Sequence, residues 1–147
     1  MINRLHLPRI VHRVIIRAGR PRVFDAISKQ SGLEAWLCSE AFVDCRVGGT
    51  LRLCWRDFGP DALNVTDGGD VVECSPPCVF AFEWRPGRSK TIVRFDLKER
   101  GEETVVELTE SGHSMCQEDL NALVDCAAGW GEALTRLKVF VEHGIRC

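Results

Sequence analysis

The sequence of 147 residues predicts an α+β domain in which a curved antiparallel sheet of about seven strands wraps around one long C-terminal helix. Two hydrophobic periods carry this prediction. Apolar and polar residues alternate over much of residues 41–109, as in half-buried strands, and apolar residues then recur every three or four positions over 117–143. A single antiparallel sheet must cover one face, and only the last helix is long enough to do so.

The first strand is predicted at residues 10–17, IVHRVIIR, because β-branched residues dominate there. Two short helices follow it. Pro21 suits the first turn of one helix, and Ser31 is predicted to cap the other. Gly48 and Gly49 are predicted to form a two-residue hairpin turn, because glycine adopts positive φ without a Cβ penalty.

The remaining elements follow from the same two periods. Residues 58–69 are predicted to be a polar connection, and Gly144 is predicted to end the long helix. The other strands are predicted at 42–47, 50–56, 70–74, 79–85, 91–98 and 104–109. The apolar stripe of the helix comprises Leu120, Val124, Ala127, Trp130, Leu134, Leu137 and Val141. The chain is short enough that we expect one domain over residues 1–147.

Composition narrows the function classes. With 45% apolar residues, 27% charged residues and a net charge of −2, the chain has the make-up of a globular protein with no general attraction to nucleic acid. No apolar run approaches the roughly 20 residues that span a bilayer. The N-terminus has no signal-peptide core, so we expect a cytoplasmic protein without membrane insertion.

The chain has eight cysteines at irregular spacings. Since no export signal is present, we expect reduced thiols rather than a disulfide framework. The closest pair, in the segment CSPPC at residues 74–78, lacks a second close pair to complete a zinc site. His113, the nearest candidate for a further ligand, is expected on a distant loop. We therefore predict no metal and no cofactor.

A cavity is expected because a curved sheet cannot touch a straight helix everywhere. Gly129 and Gly131 lie inside the long helix, where each costs about 1 kcal/mol relative to alanine. They indicate either close approach of the helix to the sheet or room for a ligand beside Trp130. The predicted cavity residues are Trp36, Leu51, Leu53, Trp55, Phe80, Phe82, Trp84, Val93, Phe95, Val106, Leu108, Trp130 and Leu134.

Several segments resemble one known family. AGRPRVFDAIS, FVDCRVGGTLRL, GGDVVECSPPCVFAFEW, GEETVVELTESG and GWGEALTRLKVFVEHG occur in the order typical of the activator-of-heat-shock-ATPase homologue-like family. That family belongs to the StAR-related lipid-transfer and birch-pollen-allergen-like (SRPBCC) helix-grip superfamily. The resemblance covers about residues 10–144 and implies a helix-grip fold with a deep pocket between sheet and helix. It implies no catalytic motif.

Three functions are compatible with such a fold. We favour binding of a small apolar or aromatic ligand, with the tryptophans as stacking surfaces. An enzyme of the cyclase, dehydratase or hydrolase type would need a general acid or base, for which His113 is the candidate, although we expect it to be an exposed loop residue. The other titratable candidates are Glu73, Glu83, Arg94 and Glu110. A protein-interaction module is the third, with a homodimer expected more readily than a chaperone complex.

Overall fold

The computed structural model describes residues 7–147. It confirms the α+β prediction, with two short helices between the first two strands and one long helix at the end. In chain order the elements are β1 (Ile10–Ile16), α1 (Arg20–Ser28), α2 (Gln30–Trp36), β2 (Glu40–Val43), β3 (Thr50–Phe58), β4 (Leu63–Ser75), β5 (Val79–Trp84), β6 (Thr91–Arg100), β7 (Glu103–Ser111) and α3 (Gln117–His143).

The seven strands form one antiparallel sheet in the order β1-β7-β6-β5-β4-β3-β2. Each strand from β2 to β6 pairs with the next strand along the chain, and β1 pairs with β7 over its whole length. Strand β1 therefore lies at one edge of the sheet, and β2 lies at the other. Helix α3 approaches the sheet most closely at β1.

Helices α1 and α2 close one end of the core. Pro21 lies in the first turn of α1, as predicted. Trp36, at the end of α2, is fully buried and donates its indole N–H to the carbonyl oxygen of Ala26 at 2.8 Å. The prediction that Ser31 caps α2 is wrong. The cap is Lys29, which has no side-chain capping bond within the described chain, because α1 and α2 meet with a single residue between them.

The Gly48–Gly49 turn differs from the predicted two-residue hairpin. Residues 44–49 connect β2 to β3, and of the two glycines Gly48 has positive φ, at 83°. A Cβ on Gly49 would overlap the carbonyl oxygen of Asp44. Because the backbone approaches so closely there, the position requires glycine. The Gly48 N–H donates to the Val71 carbonyl at 2.9 Å, which holds the connection against β4.

A disulfide joins Cys45 to Cys74, with their Cα atoms 6.0 Å apart. The expectation of reduced thiols throughout is therefore wrong. The connection that carries Cys45 is hydrogen-bonded to β4, and this places it opposite Cys74 near the end of that strand. The six other cysteines are free, and burial raises the pKa of the Cys38 thiol to about 12.

Strand β4 begins seven residues earlier than predicted, at Leu63 rather than at residue 70. The segment predicted to be a polar connection pairs with β3 over 63–70, and the rest of the strand pairs with β5. Polar residues and Gly68 and Gly69 hide this strand in the sequence. The glycines are needed because a Cβ at either would overlap the backbone of the neighbouring strand.

Helix α3 spans Gln117–His143, as predicted, and ends at Gly144 in the left-handed conformation with φ 68°. The predicted apolar stripe is buried from Trp130 to Val141. The placement of Val124 in that stripe is wrong, because its side chain is 68% exposed. Among the described residues, no helix is both long enough and apolar enough to cross a membrane.

Candidate functional site

A cleft of about 270 Å³ lies between α3 and the strands β3, β4 and β5. Its lining is mostly apolar and includes three of the four tryptophans. Because α3 packs most closely on β1, it stands away from the far side of the sheet and leaves this space. The cleft is lined by Leu37, Trp55, Leu63, Val65, Asp67, Trp84, Pro86, Ala122, Asp125, Cys126, Gly129, Trp130, Ala133 and Arg136.

The three tryptophans of the cleft are held in place by hydrogen bonds from their indole N–H groups. Trp55 donates to the Leu37 carbonyl at 2.7 Å, and Trp84 and Trp130 donate to the two carboxylate oxygens of Glu110 at 2.9 and 2.8 Å. The ring centroids of Trp84 and Trp130 are 5.4 Å apart, and those of Trp55 and Trp84 are 6.2 Å apart. The rings therefore form one fixed aromatic wall.

Three charged side chains add polar groups to the cleft: Asp67 on β4, and Asp125 and Arg136 on α3. Asp67 is fixed, because its Oδ1 accepts the backbone N–H of Arg85 at 2.9 Å. The Arg136 guanidinium lies 5.0 Å from the ring centroid of Phe58, within cation–π range. A bound molecule would meet an aromatic wall with both acidic and basic groups beside it.

The two glycines inside α3 have different roles. The sequence left open close packing on the sheet or room beside Trp130, and each alternative applies to one glycine. A Cβ on Gly131 would lie 3.3 Å from the His12 ring, on the side where α3 packs against β1. A Cβ on Gly129 would have no atom of residues 7–147 within 4 Å, and this residue lines the cleft. Gly131 serves close packing, and Gly129 leaves open space beside Trp130.

A buried polar cluster lies behind the tryptophan wall. Its centre is Glu110 on β7, which is 0% exposed and also accepts the Thr91 hydroxyl at 2.7 Å. His113 belongs to this cluster: its side chain is 2% exposed, and its Nε2 lies 3.5 Å from Glu110 Oε2. The expectation of an exposed His113 is therefore wrong. The loop after β7 folds its side chain inward, near Cys126 of α3.

Cys126 connects the cluster to the cleft. Its thiol lies near Glu110 and His113, and the residue also lines the cleft. Burial, together with the negative charge of Glu110, raises the pKa of the Cys126 thiol well above its usual range. The thiol is therefore a poor nucleophile in this setting, since the thiolate is the reactive form.

Asp119, in the first turn of α3, fixes the rim of the cleft. Its carboxylate accepts backbone N–H groups from Arg88 and Ser89 in the β5–β6 turn and from Ser114 before the helix. Hydrogen bonds from Ser89 and Ser114 hold the pKa of Asp119 well below its usual range. This carboxylate ties the start of α3 to the turn that carries Pro86 of the cleft.

The family comparison agrees with this architecture. The family model described as Activator of Hsp90 ATPase homolog 1-like protein matches residues 17–142, nearly the whole chain. The chain belongs to this family. The resemblance inferred from its segments is thereby confirmed. No curated protein matches the sequence.

Solved structures share the fold. DynU16, a protein of the dynemicin biosynthetic locus, has 18% identity and a TM-score of 0.78 over 94% of this chain, and this chain spans about half (48%) of its length. CalU16 from Micromonospora echinospora has 25% identity and a TM-score of 0.73, covering 90% of this chain and 73% of its own. The Aha1 dimer from Colwellia psychrerythraea has 22% identity and a TM-score of 0.74, covering 94% and 98%.

Of the predicted cavity residues, the structure brings Trp55, Trp84 and Trp130 to the cleft. The other ten are buried in the core and do not line the cleft. They are Trp36, Leu51, Leu53, Phe80, Phe82, Val93, Phe95, Val106, Leu108 and Leu134. Among the titratable candidates, Arg94 pairs with Glu73 at 2.7 Å, Glu83 lies 3.9 Å from Lys90, and none of these lines the cleft.

Sequence reasoning missed the β4 wall of the cleft, formed by Leu63, Val65 and Asp67. Leu63 and Val65 alternate with polar neighbours, which is a strand signal, but they lie in a segment rich in Asp, Asn and Gly. Asp125 and Arg136 were missed too. They lie four positions before and seven positions after Gly129, so helical spacing places them on one face with that glycine, but it does not show that this face borders a cleft.

Proposed function

We propose that the protein binds a small aromatic molecule in the cleft between α3 and strands β3–β5. The observation that carries this proposal is the wall of three tryptophans, whose indole groups are already hydrogen-bonded within the protein. Their ring surfaces are therefore ordered before a ligand arrives. Such preorganisation reduces the entropy that binding must overcome.

The size of the cleft selects small ligands. At about 270 Å³ it falls just below the usual range of roughly 300–1,000 Å³ for ligand pockets. It suits a mono- or bicyclic aromatic molecule better than a sterol or a long acyl chain. Each aromatic contact contributes about 0.5–1.5 kcal/mol beyond the area that it buries.

The polar groups of the cleft favour a ligand with a polar substituent. Arg136 is the cation at one side, and Asp67 and Asp125 are the anions. A hydroxyl or amide can donate to an aspartate or accept from the arginine, whereas a purely apolar ring leaves these groups to water. We therefore favour hydroxylated or amide-bearing aromatics, and naphthols serve as the first probes.

Gly129 offers a direct test. Since no described atom would lie within 4 Å of a Cβ there, the side chain of Gly129→Leu starts in open space at the cleft. We expect 2-naphthol to quench tryptophan fluorescence saturably in the wild type, with affinity reduced at least about tenfold, or 1.4 kcal/mol, in the variant.

The matched control is Ala128→Leu, which adds the same side chain at the neighbouring exposed position outside the cleft. It should bind the probe as the wild type does. Melting temperatures would establish that both variants are folded. Equal binding by the wild type and Gly129→Leu, or no saturable binding of naphthols, indoles or hydroxylated bicyclic aromatics by folded wild type, would contradict the proposal.

Catalysis is the second candidate, and the proximity of His113 Nε2 to Glu110 at 3.5 Å favours it. A histidine beside a carboxylate is a common acid–base arrangement. His113 does not line the cleft, however, so a substrate there would reach it only past the tryptophans. For this reason we place binding ahead of catalysis.

Self-association finds support in a relative, since the Colwellia psychrerythraea Aha1 is a dimer. We propose a homodimer on that ground, to be checked by light scattering of the purified protein. A chaperone complex has less support, because none of the residues described here indicates a surface for it. Neither proposal depends on the cleft.

A further inference from the structure

Three potential metal ligands of different chemistry meet behind the tryptophan wall. One ligand atom each from Glu110, His113 and Cys126 lies within 4.8 Å of the other two. They come from the end of β7, the loop that follows it and the first half of α3, so the fold, rather than a local motif, brings them together. All three are buried or half-buried.

The imidazole nitrogens of His113 are buried without hydrogen-bond partners among the described residues. Its side chain is 2% exposed, yet neither ring nitrogen has a hydrogen-bond partner among residues 7–147. Buried polar atoms nearly always have a partner, and one left without it costs roughly 1–3 kcal/mol. The ring lies against the carboxylate, but the geometry between Nε2 and Oε2 is not that of a hydrogen bond.

The separation of these atoms is instead typical of two donors to one ion. Zinc binds nitrogen and oxygen at about 2.0–2.2 Å and sulfur at about 2.3 Å, so tetrahedral donors lie about 3.3–3.6 Å apart. His113 Nε2 is 3.5 Å from Glu110 Oε2, so the imidazole lies at about this spacing from the carboxylate group. The three ligand atoms lie within 4.8 Å of one another, so the thiol would need to approach by at most about 1.2 Å to complete the set.

We propose that Glu110, His113 and Cys126 bind a zinc ion. Imidazole and thiolate ligands favour zinc over magnesium or calcium, which take oxygen ligands. Binding would displace the Cys126 proton to solvent, because the thiolate is the form that ligates zinc. Three protein ligands would then leave one coordination position for water or another small donor. The site goes beyond the ligand-binding cleft, although Cys126 borders both.

The groups around Glu110 are suited to support a ligating carboxylate. Trp84 and Thr91 donate to Oε2, whereas Trp130 alone donates to Oε1. A carboxylate has about four lone-pair positions, so one remains for an ion, and it is on Oε1, the oxygen that accepts from Trp130 alone. Hydrogen bonds of this kind orient metal ligands, and their loss typically weakens metal binding 10–100-fold.

Cobalt(II) provides the test, because a thiolate ligand gives it a charge-transfer band in the near ultraviolet and tetrahedral geometry gives intense visible bands. Chelator-treated full-length protein, with the Cys45–Cys74 disulfide intact, would be titrated with Co²⁺ and then with Zn²⁺ in competition. We expect one equivalent of Co²⁺ to bind and to show both the charge-transfer band and the intense visible bands. Zinc should displace it and raise the melting temperature.

Variants assign the ligands. Cys126→Ser should lose the charge-transfer band. Cys126→Ser and His113→Gln should each weaken cobalt binding by more than about 100-fold, the largest loss typical of removing a residue that only hydrogen-bonds to a metal ligand. Cys116→Ser is the matched control: Cys116 is a half-buried cysteine that caps α3 outside the cluster, where serine is a good cap. It should bind cobalt as the wild type does.

Circular dichroism of the metal-free variants establishes that they are folded. If Cys126→Ser or His113→Gln does not fold, Thr91→Val tests the same site by removing one donor to Glu110, with an expected 10–100-fold loss. The proposal is overturned if the wild type binds no cobalt saturably, or if Cys126→Ser, His113→Gln or Thr91→Val folds and binds it with wild-type affinity and the same spectrum.

Discussion

Helix α3 meets the two sides of the sheet in different ways. On the β1 side the contact is close and polar: His12 Nε2 lies 2.8 Å from the Ala127 carbonyl oxygen, and Glu142 accepts the backbone N–H of Arg17 at 2.9 Å. On the side of β3 and β4, the helix and the sheet are separated by a cleft of about 270 Å³. One straight helix thus closes the fold at one edge and leaves it open at the other.

This difference shows how a continuous helix can serve packing and binding at once. Gly131 lets α3 settle against the His12 ring, and Gly129, two residues earlier, faces open space. Because the helix is held close to β1, the cleft on its other side stays open without any break in the helix. Glycine at 131 allows close packing on β1, and glycine at 129 leaves space on the side of the cleft.

The largest expected effect concerns the open side, where the Cys45–Cys74 disulfide ties the β2–β3 connection to β4. Cys45→Ser should lower the free energy of unfolding by about 2–4 kcal/mol, because the bridge closes a loop between residues 29 positions apart. Denaturant unfolding with and without reductant would measure it. Reductant should bring the wild type down to the stability of the variant and leave the variant unchanged.

Cys54→Ser is the control, since Cys54 is a half-buried free cysteine on the adjacent strand β3. It should keep most of the wild-type stability and its sensitivity to reductant. If the wild type has the same stability with and without reductant, or if both bridge cysteines react with alkylating reagents in the folded protein, the open side is not held by this bond.

A smaller effect distinguishes the two glycines. Gly129→Ala should raise the free energy of unfolding by about 1 kcal/mol, because alanine favours the helix and its methyl group meets open space. Gly131→Ala has the same helical gain, but its methyl group would crowd the His12 ring at 3.3 Å. We expect a smaller gain or a loss, measured by the same denaturant unfolding. Equal stabilisation by both changes would remove the distinction between the two sides.

The sequence predicted the fold better than the site. Long periodic elements such as α3 could be read because their apolar residues serve one buried face. The β4 segment at 63–69 could not, because its polar residues and glycines form a strand only when β3 pairs with it. Strand and helix periods show which residues face inward, but not how far apart the facing elements lie.

The site depends on distances that periodicity does not contain. Trp55, Trp84 and Trp130 were predicted as cavity residues because large aromatic residues on inward faces are candidates for any cavity, and all three line the cleft. Leu53 and Phe82 satisfy the same criterion but are buried in the core cluster and do not line the cleft. The inward position of His113 depends on how a loop folds, and Cys45 meets Cys74 through tertiary pairing, so neither had a local signal.

The most direct test of the open cleft uses the four indole N–H resonances in a nitrogen–proton correlation spectrum. Titration with 2-naphthol should move the signals of Trp55, Trp84 and Trp130, which line the cleft, and leave that of Trp36, which is fully buried beside Ala26. Assignment requires one tryptophan-to-phenylalanine variant for each signal. If the three cleft signals stay fixed while the probe binds, or if Trp36 moves as far as they do, the cleft is not the binding site.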